Sequence, residues 1–149
     1  MSIQDFAAEY EASTQLFLAE VNSLKESDLD RSDSEGWTPR QVIHHLADSE
    51  AQSYARLRRL IAEPGTTIQG YDEGKWADNP TLGYTDLDVS TAIEVFAAVR
   101  KSSYQLILRL SEEQLQNSGT HTESGEYSVK KWLETYTNHP KDHAAQIRG

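Results

Sequence analysis

Residues 37–49 read Trp37-Thr38-Pro39-Arg40-Gln41-Val42-Ile43-His44-His45-Leu46-Ala47-Asp48-Ser49. Thr38 is an N-cap, Pro39 occupies the first helical position, and Gln41 stands where a capping-box partner belongs. Val42, Ile43, Leu46, Ala47, Tyr54, Leu57, Leu60 and Ile61 then recur on one face until Glu63-Pro64-Gly65 ends the run. This predicts a helix over 39–62 with two adjacent histidines inside it.

The flanking segments repeat the pattern. Ile3, Phe6, Ala7, Tyr10, Phe17, Val21 and Leu24 predict a first helix over 3–25, followed by a polar connection over 27–36 anchored by Leu29. Val89, Ile93, Phe96, Ala97, Val99, Tyr104, Ile107 and Leu108 predict a third helix over 87–110. Ser111-Glu112-Glu113-Gln114 repeats a capping box, and 117–126 reads as a polar loop holding a solvated His121. Val129, Trp132, Leu133, Tyr136, Ala144 and Ile147 predict a fourth helix over 127–148. Four amphipathic helices with almost no strand signal give an all-α four-helix bundle, one domain over 1–149. Between the second and third helices, 64–85 is a long crossover with four glycines and three large aromatics, Tyr71, Trp76 and Tyr84. Its length suits a functional loop packed on the bundle.

Composition narrows the function. Fourteen Lys and Arg stand against 24 Asp and Glu, a formal net charge of −10, which opposes nonspecific nucleic-acid binding. No apolar stretch approaches the ~20 residues of a membrane span. The start MSIQDFAAEY lacks a signal-peptide pattern, so the expected location is cytoplasmic. The chain has no cysteine, so thiolate metal sites and a cysteine nucleophile are excluded.

Four of the five histidines fall in two groups, His44-His45 and His139-x-x-x-His143. Residues four apart stand one turn above each other on a helix, so His139 and His143 can aim at one point. At about 100° per residue, both lie on or beside the core face of the last helix. On the second helix His45 borders the buried stripe and His44 points further out. If the second and fourth helices are neighbours, His45 can supply a third ligand. Three imidazoles leave coordination positions open, as catalytic rather than structural zinc requires. Asp48 is a possible carboxylate partner for an imidazole, with an exposed surface charge as the commoner outcome. Glu50 falls inside the apolar arc, where it needs an Arg or Tyr partner from across the bundle. Arg56 lies on the side of His45 and can steer an anionic thiol or carboxylate, or form a surface salt bridge. Tyr71, Asp72 and Trp76 either cover the cavity or pin the loop.

The 37–49 segment, the loop Tyr71-Asp72-Glu73-Gly74-Lys75-Trp76 and the terminal histidine pair together resemble the DinB/YfiT-like superfamily, nearest its YfiT-type metal-dependent hydrolases. The resemblance spans nearly the whole chain. It implies a bundle with a long crossover between helices two and three, and a zinc or nickel ion on His45, His139 and His143. It further implies a homodimer, and a small electrophile as substrate attacked by a low-molecular-weight thiol (S-transferase) or by water (hydrolase). The alternative is a noncatalytic bundle in which metal serves structure or dimerisation. Pro140, directly after the first histidine of the pair, departs from ordinary helix chemistry. It removes a hydrogen bond to the Tyr136 carbonyl at a cost of ~3 kcal/mol, so a kink near His139 is expected, offset by the metal or by a water at that carbonyl.

Overall fold

A computed structural model describes residues 1–32 and 36–149. Its helices are α1 (Ile3–Ser23), α2 (Pro39–Ala62), the short α3 (Glu73–Asp78), α4 (Ser90–Ile107) and α5 (Val129–Arg148). Strands β1 (Thr67–Ile68), β2 (Ser118–His121) and β3 (Gly125–Ser128) form a small sheet. The four long helices build the bundle: α1 packs on α4 and α5, and α2 packs on the same two helices. Thus α2 and α5, which carry the paired histidines, are neighbours.

The start of α2 is set by its own side chains. Gln41 N–H donates to Thr38 Oγ1 at 3.2 Å and Thr38 N–H donates to Gln41 Oε1 at 2.9 Å, closing the expected box. Ser111 and Gln114 exchange the same two bonds ahead of a single turn over Glu113–Gln116. Within the connection read over 27–36, a tight turn at Glu26–Asp28 precedes the buried Leu29, and 33–35 lie outside the described residues.

The first long helix ends at Ser23 rather than 25 and the third at Ile107 rather than 110, and three larger differences from the sequence reading stand beside these. The third long helix begins at Ser90, whose N–H is taken by Asp88 Oδ1 at 2.8 Å. Leu87 consequently lies outside it, more than half exposed. The segment read as a polar loop over 117–126 is mostly a β-hairpin, and Tyr127 belongs to its second strand rather than to the last helix. The crossover contributes β1, which pairs parallel with β2 through Thr67–Thr120 and Ile68–His121. Gly119 permits this pairing, since a Cβ there would stand 2.3 Å from the Thr66 carbonyl oxygen. Such pairing joins segments some fifty residues apart, so no local pattern announces it.

The core has two hydrophobic halves. One gathers Phe6, Tyr10, Leu60, Ile107, Trp132 and Leu133; the other gathers Phe17, Ile43, Leu46, Phe96 and Ile147. Between them lies a buried polar layer of Ser13, Thr14, Glu50, Ser53 and Arg100. The Arg100 guanidinium uses all five N–H groups. Nε donates to Thr14 Oγ1 (2.7 Å), Nη1 to Glu50 Oε1 (3.0 Å) and the Tyr136 carbonyl (2.7 Å), Nη2 to the Tyr10 carbonyl (2.9 Å) and Ser13 Oγ (2.7 Å). Its face lies 3.6 Å from the Tyr10 ring centroid. Glu50 therefore has the partner its place in the apolar arc demanded.

Candidate metal centre

The adjacency of α2 and α5 brings three histidines together. His45 Nε2 lies 3.2 Å from His139 Nε2, and His143 Nε2 lies 3.1 Å from the same atom. Two of these rings come from one face of α5, stacked by the four-residue spacing, and the third enters from α2. His45 is buried, while His139 and His143 keep one partly open side. Trp37, just ahead of the α2 cap, packs edge-on against His45 with ring centroids 4.9 Å apart.

The donor set fits a cation. A tetrahedral ion with arms of 2.0–2.1 Å holds its ligand nitrogens about 3.3 Å apart, close to the separations observed. Without an ion the arrangement is frustrated, because one N–H on His139 Nε2 can serve only one of two facing nitrogens. His143 Nδ1 donates to Gln146 Oε1 at 2.7 Å, which leaves its Nε2 lone pair free to face the other two. All three rings are held neutral at pH 7. Burial, then the His143, His45 and Arg100 charges, lower His139 to about 3. Burial, then His143, lower His45 to about 4. Burial also lowers His143, against the opposing pull of Gln146 and Asp142.

Chelator-treated protein should therefore be acid-sensitive. Below pH 6.5 an unfolded chain protonates these imidazoles while the folded one resists down to about 4 and 3. Stability is thus greatest above 6.5 and falls with pH below it, by on the order of 2–4 kcal/mol between pH 6.5 and 5. Urea unfolding across that range measures it, and the slope should fall by about half in His139→Ala. A second expectation concerns the tautomer. Gln146→Ala should weaken zinc affinity by about 10–100-fold with helicity unchanged, read by competition with a chromogenic chelator.

Pro140 lies within α5, which continues to Arg148. Its missing N–H leaves the Tyr136 carbonyl without its intrahelical donor, and Arg100 Nη1 takes that place at 2.7 Å. The compensation anticipated from metal or water is supplied by a buried side chain. This ties the turn that carries His139 to the polar layer of the bundle.

The other sequence candidates are placed as follows. His44 is buried and directed away from the cluster, its Nε2 2.9 Å from the Leu87 carbonyl and its ring stacked on Tyr84. Asp48 meets no imidazole; it accepts from the Tyr84 hydroxyl at 2.6 Å. Glu50 faces Arg100, away from the histidines. Arg56 makes no salt bridge among the described residues: Nη1 donates to the Tyr136 hydroxyl at 3.0 Å and Nη2 to the Gln69 carbonyl at 2.8 Å. Tyr71 and Trp76 pack at a tilt with ring centroids 4.6 Å apart, and Tyr71 lies beside Ser49, one turn past His45. Asp72 caps α3 by accepting from Lys75 N–H at 3.0 Å. His121 is fixed in the hairpin, its Nδ1 accepting from Glu123 and Ser124 N–H. Sequence reasoning missed Arg100 and Gln146. Arg100 carried a signal, a charge at four-residue spacing between Phe96 and Tyr104 on the buried stripe of its helix.

A four-helix bundle with three imidazoles converging between two adjacent helices defines a class of metal-dependent proteins, and comparison with known proteins agrees. The profile of the DinB superfamily matches residues 9–147, and the chain belongs to that superfamily. A relative from Oceanobacillus iheyensis named "Putative metal-dependent hydrolase" is 33% identical over 147 residues, covering 98% of this chain and 83% of its own. A second of the same name and organism is 36% identical over 146 residues, covering 97% and 83%. Among solved structures, YfiT from Bacillus subtilis, described as a probable metal-dependent hydrolase with an unusual four-helix bundle topology, superposes with a TM-score of 0.88. It is 25% identical, covering 99% of this chain and 86% of YfiT. A mycothiol-dependent maleylpyruvate isomerase shares the fold, with a TM-score of 0.76 at 13% identity, covering 99% of this chain and 61% of that one. No described helix is long and apolar enough to cross a membrane.

Proposed function

We propose that the protein is a metal-dependent enzyme in which His45, His139 and His143 hold one divalent cation, zinc or nickel, with a position left for a low-molecular-weight thiol or water that attacks a small electrophile. The observation that carries this reading is the meeting of three neutral Nε2 atoms at 3.1–3.2 Å. A cation held there favours the deprotonated form of a thiol or water at neutral pH, and imidazole ligands suit both metals named. The chain's own part is positional. Gln146 selects the His143 tautomer, Arg100 secures the turn of α5 bearing His139, and Trp37 shields one side of His45. With no cysteine in the chain, any thiol comes from a cosubstrate. The fold shared with a mycothiol-dependent isomerase makes a thiol the first cosubstrate to try. The proposal includes a cytoplasmic homodimer, which sedimentation of the purified chain and fractionation of its host would test.

Elemental analysis of purified protein should find about one divalent ion per chain. Conjugation of cysteine to 1-chloro-2,4-dinitrobenzene, and hydrolysis of p-nitrophenyl acetate, should then each be assayed with and without chelator. One of the two activities is expected, lost on chelation and in His143→Ala with helicity retained. Protein that binds no divalent cation overturns the reading, and metal-loaded protein inactive in a broad screen of both kinds favours the noncatalytic bundle.

A further inference from the structure

The strip of α2 and α5 that starts at the three histidines continues to Arg56. Tyr136 precedes His139 by three residues on α5, and its hydroxyl receives Arg56 Nη1 at 3.0 Å. The other end of the guanidinium is fixed by the Gln69 carbonyl. The buried Arg40 and Arg100 each pair with a carboxylate, at 2.9 and 3.0 Å. Arg56 has none within 4.0 Å among the described residues, in a chain with 24 acidic side chains. Its Nε is buried with no acceptor at hydrogen-bond geometry among the described residues, nor do the buried hydroxyls of Tyr71 and Tyr127, both near Arg56, have a partner there. A part-buried cation and unsatisfied donors at one place are costly unless something accepts from them. A cleft of about 330 Å³ opens beside Arg56, lined also by Gln52, Arg59, Thr67 and Gln69, with no acidic residue on its wall among the described residues; the hydroxyls of Tyr71, Tyr127 and Tyr136 lie near the guanidinium, on the buried side and not on that wall.

We propose that Arg56, with the hydroxyls of Tyr71, Tyr127 and Tyr136, forms a subsite for a single carboxylate on a small ligand. The planar guanidinium and the phenol donors match a carboxylate's two oxygens. One negative charge suits the site better than two. Arg59 is engaged by Glu63 at 3.8 Å, Arg56 has no carboxylate within 4.0 Å among the described residues, and Glu73 is close enough to Arg56 for their charges to interact. In the proposed reaction, which this assignment of substrate class rests on, the carboxylate belongs either to the thiol or to the electrophile.

Calorimetry on the zinc-loaded full chain tests it with two probe pairs: 3-mercaptopropionate against 2-mercaptoethanol, and monomethyl succinate against methyl succinamate. The wild-type protein should prefer the carboxylate member of at least one pair by about tenfold, and the pair that shows it identifies the source. Arg56→Met should bring that ratio near one, with part restored in Arg56→Lys. An Arg56 that only ties the crossover to α5 would lower the melting temperature of Arg56→Met and leave the ratio unchanged. Should Arg56→Met fail to fold, Tyr127→Phe decides, since it removes only the hydroxyl and keeps the buried ring: the ratio should fall about threefold at a melting temperature near that of the wild type. Absence of preference in both wild-type pairs, or a ratio unmoved in these variants, overturns the subsite. The enzymatic reading fails separately: protein that binds no metal yet prefers monomethyl succinate through Arg56 keeps the subsite and loses the metal chemistry.

Discussion

Replacing His139 by alanine should weaken zinc binding by more than 100-fold while the bundle stays folded. His139 is the nitrogen that both other rings face, at 3.2 and 3.1 Å, so its loss leaves two ligands with no shared third corner. Outer partners of metal ligands typically account for 10–100-fold in affinity, and His139, as a proposed direct ligand, should exceed that. The metal-free fold should not suffer. His139 is a desolvated imidazole crowded by like groups, and its removal relieves a buried nitrogen without a partner at Nδ1. Competition with a chelator of known affinity, alongside circular dichroism and urea unfolding of the metal-free forms, separates the two effects. Unchanged zinc affinity in this variant would mean that the ion sits elsewhere.

The largest effect on stability should come from Arg100→Met, about 3–5 kcal/mol, read as a lowered urea midpoint. Methionine has a comparable length and no donors. It leaves the Glu50 carboxyl buried beside Ser53 alone, and strips the Tyr10 and Tyr136 carbonyls of a charged donor. Adding Glu50→Leu should recover only part of the loss, unlike an isolated ion pair, because the two carbonyls and the Ser13 and Thr14 hydroxyls still want the guanidinium. The Tyr136 carbonyl matters most for function. Pro140 has already removed its intrahelical donor, so without Arg100 the turn bearing His139 is free to bend, and zinc affinity should fall with stability. Full recovery in the double variant would show that the carbonyls are satisfied some other way.

Much of this protein was legible in one dimension because helices are local. The capping box at Thr38 and Gln41 and the three-and-four spacing of apolar residues fixed four long helices to within a few residues. The i, i+4 relation of His139 and His143 is likewise a property of one helix, and the wheel of the second helix was enough to prefer His45 over His44. Three things needed the third dimension. The sheet joins Thr67–Ile68 to a hairpin fifty residues away, and only the packed bundle brings those edges together. Arg100 caps a carbonyl exposed by a proline on another helix, a partnership that no pattern within either helix encodes. The convergence of His45 with the α5 pair depended on α2 and α5 being neighbours. Hydrophobic periodicity tells a helix which face to bury but not which helix to bury it against; that choice is made by side-chain packing across the whole core.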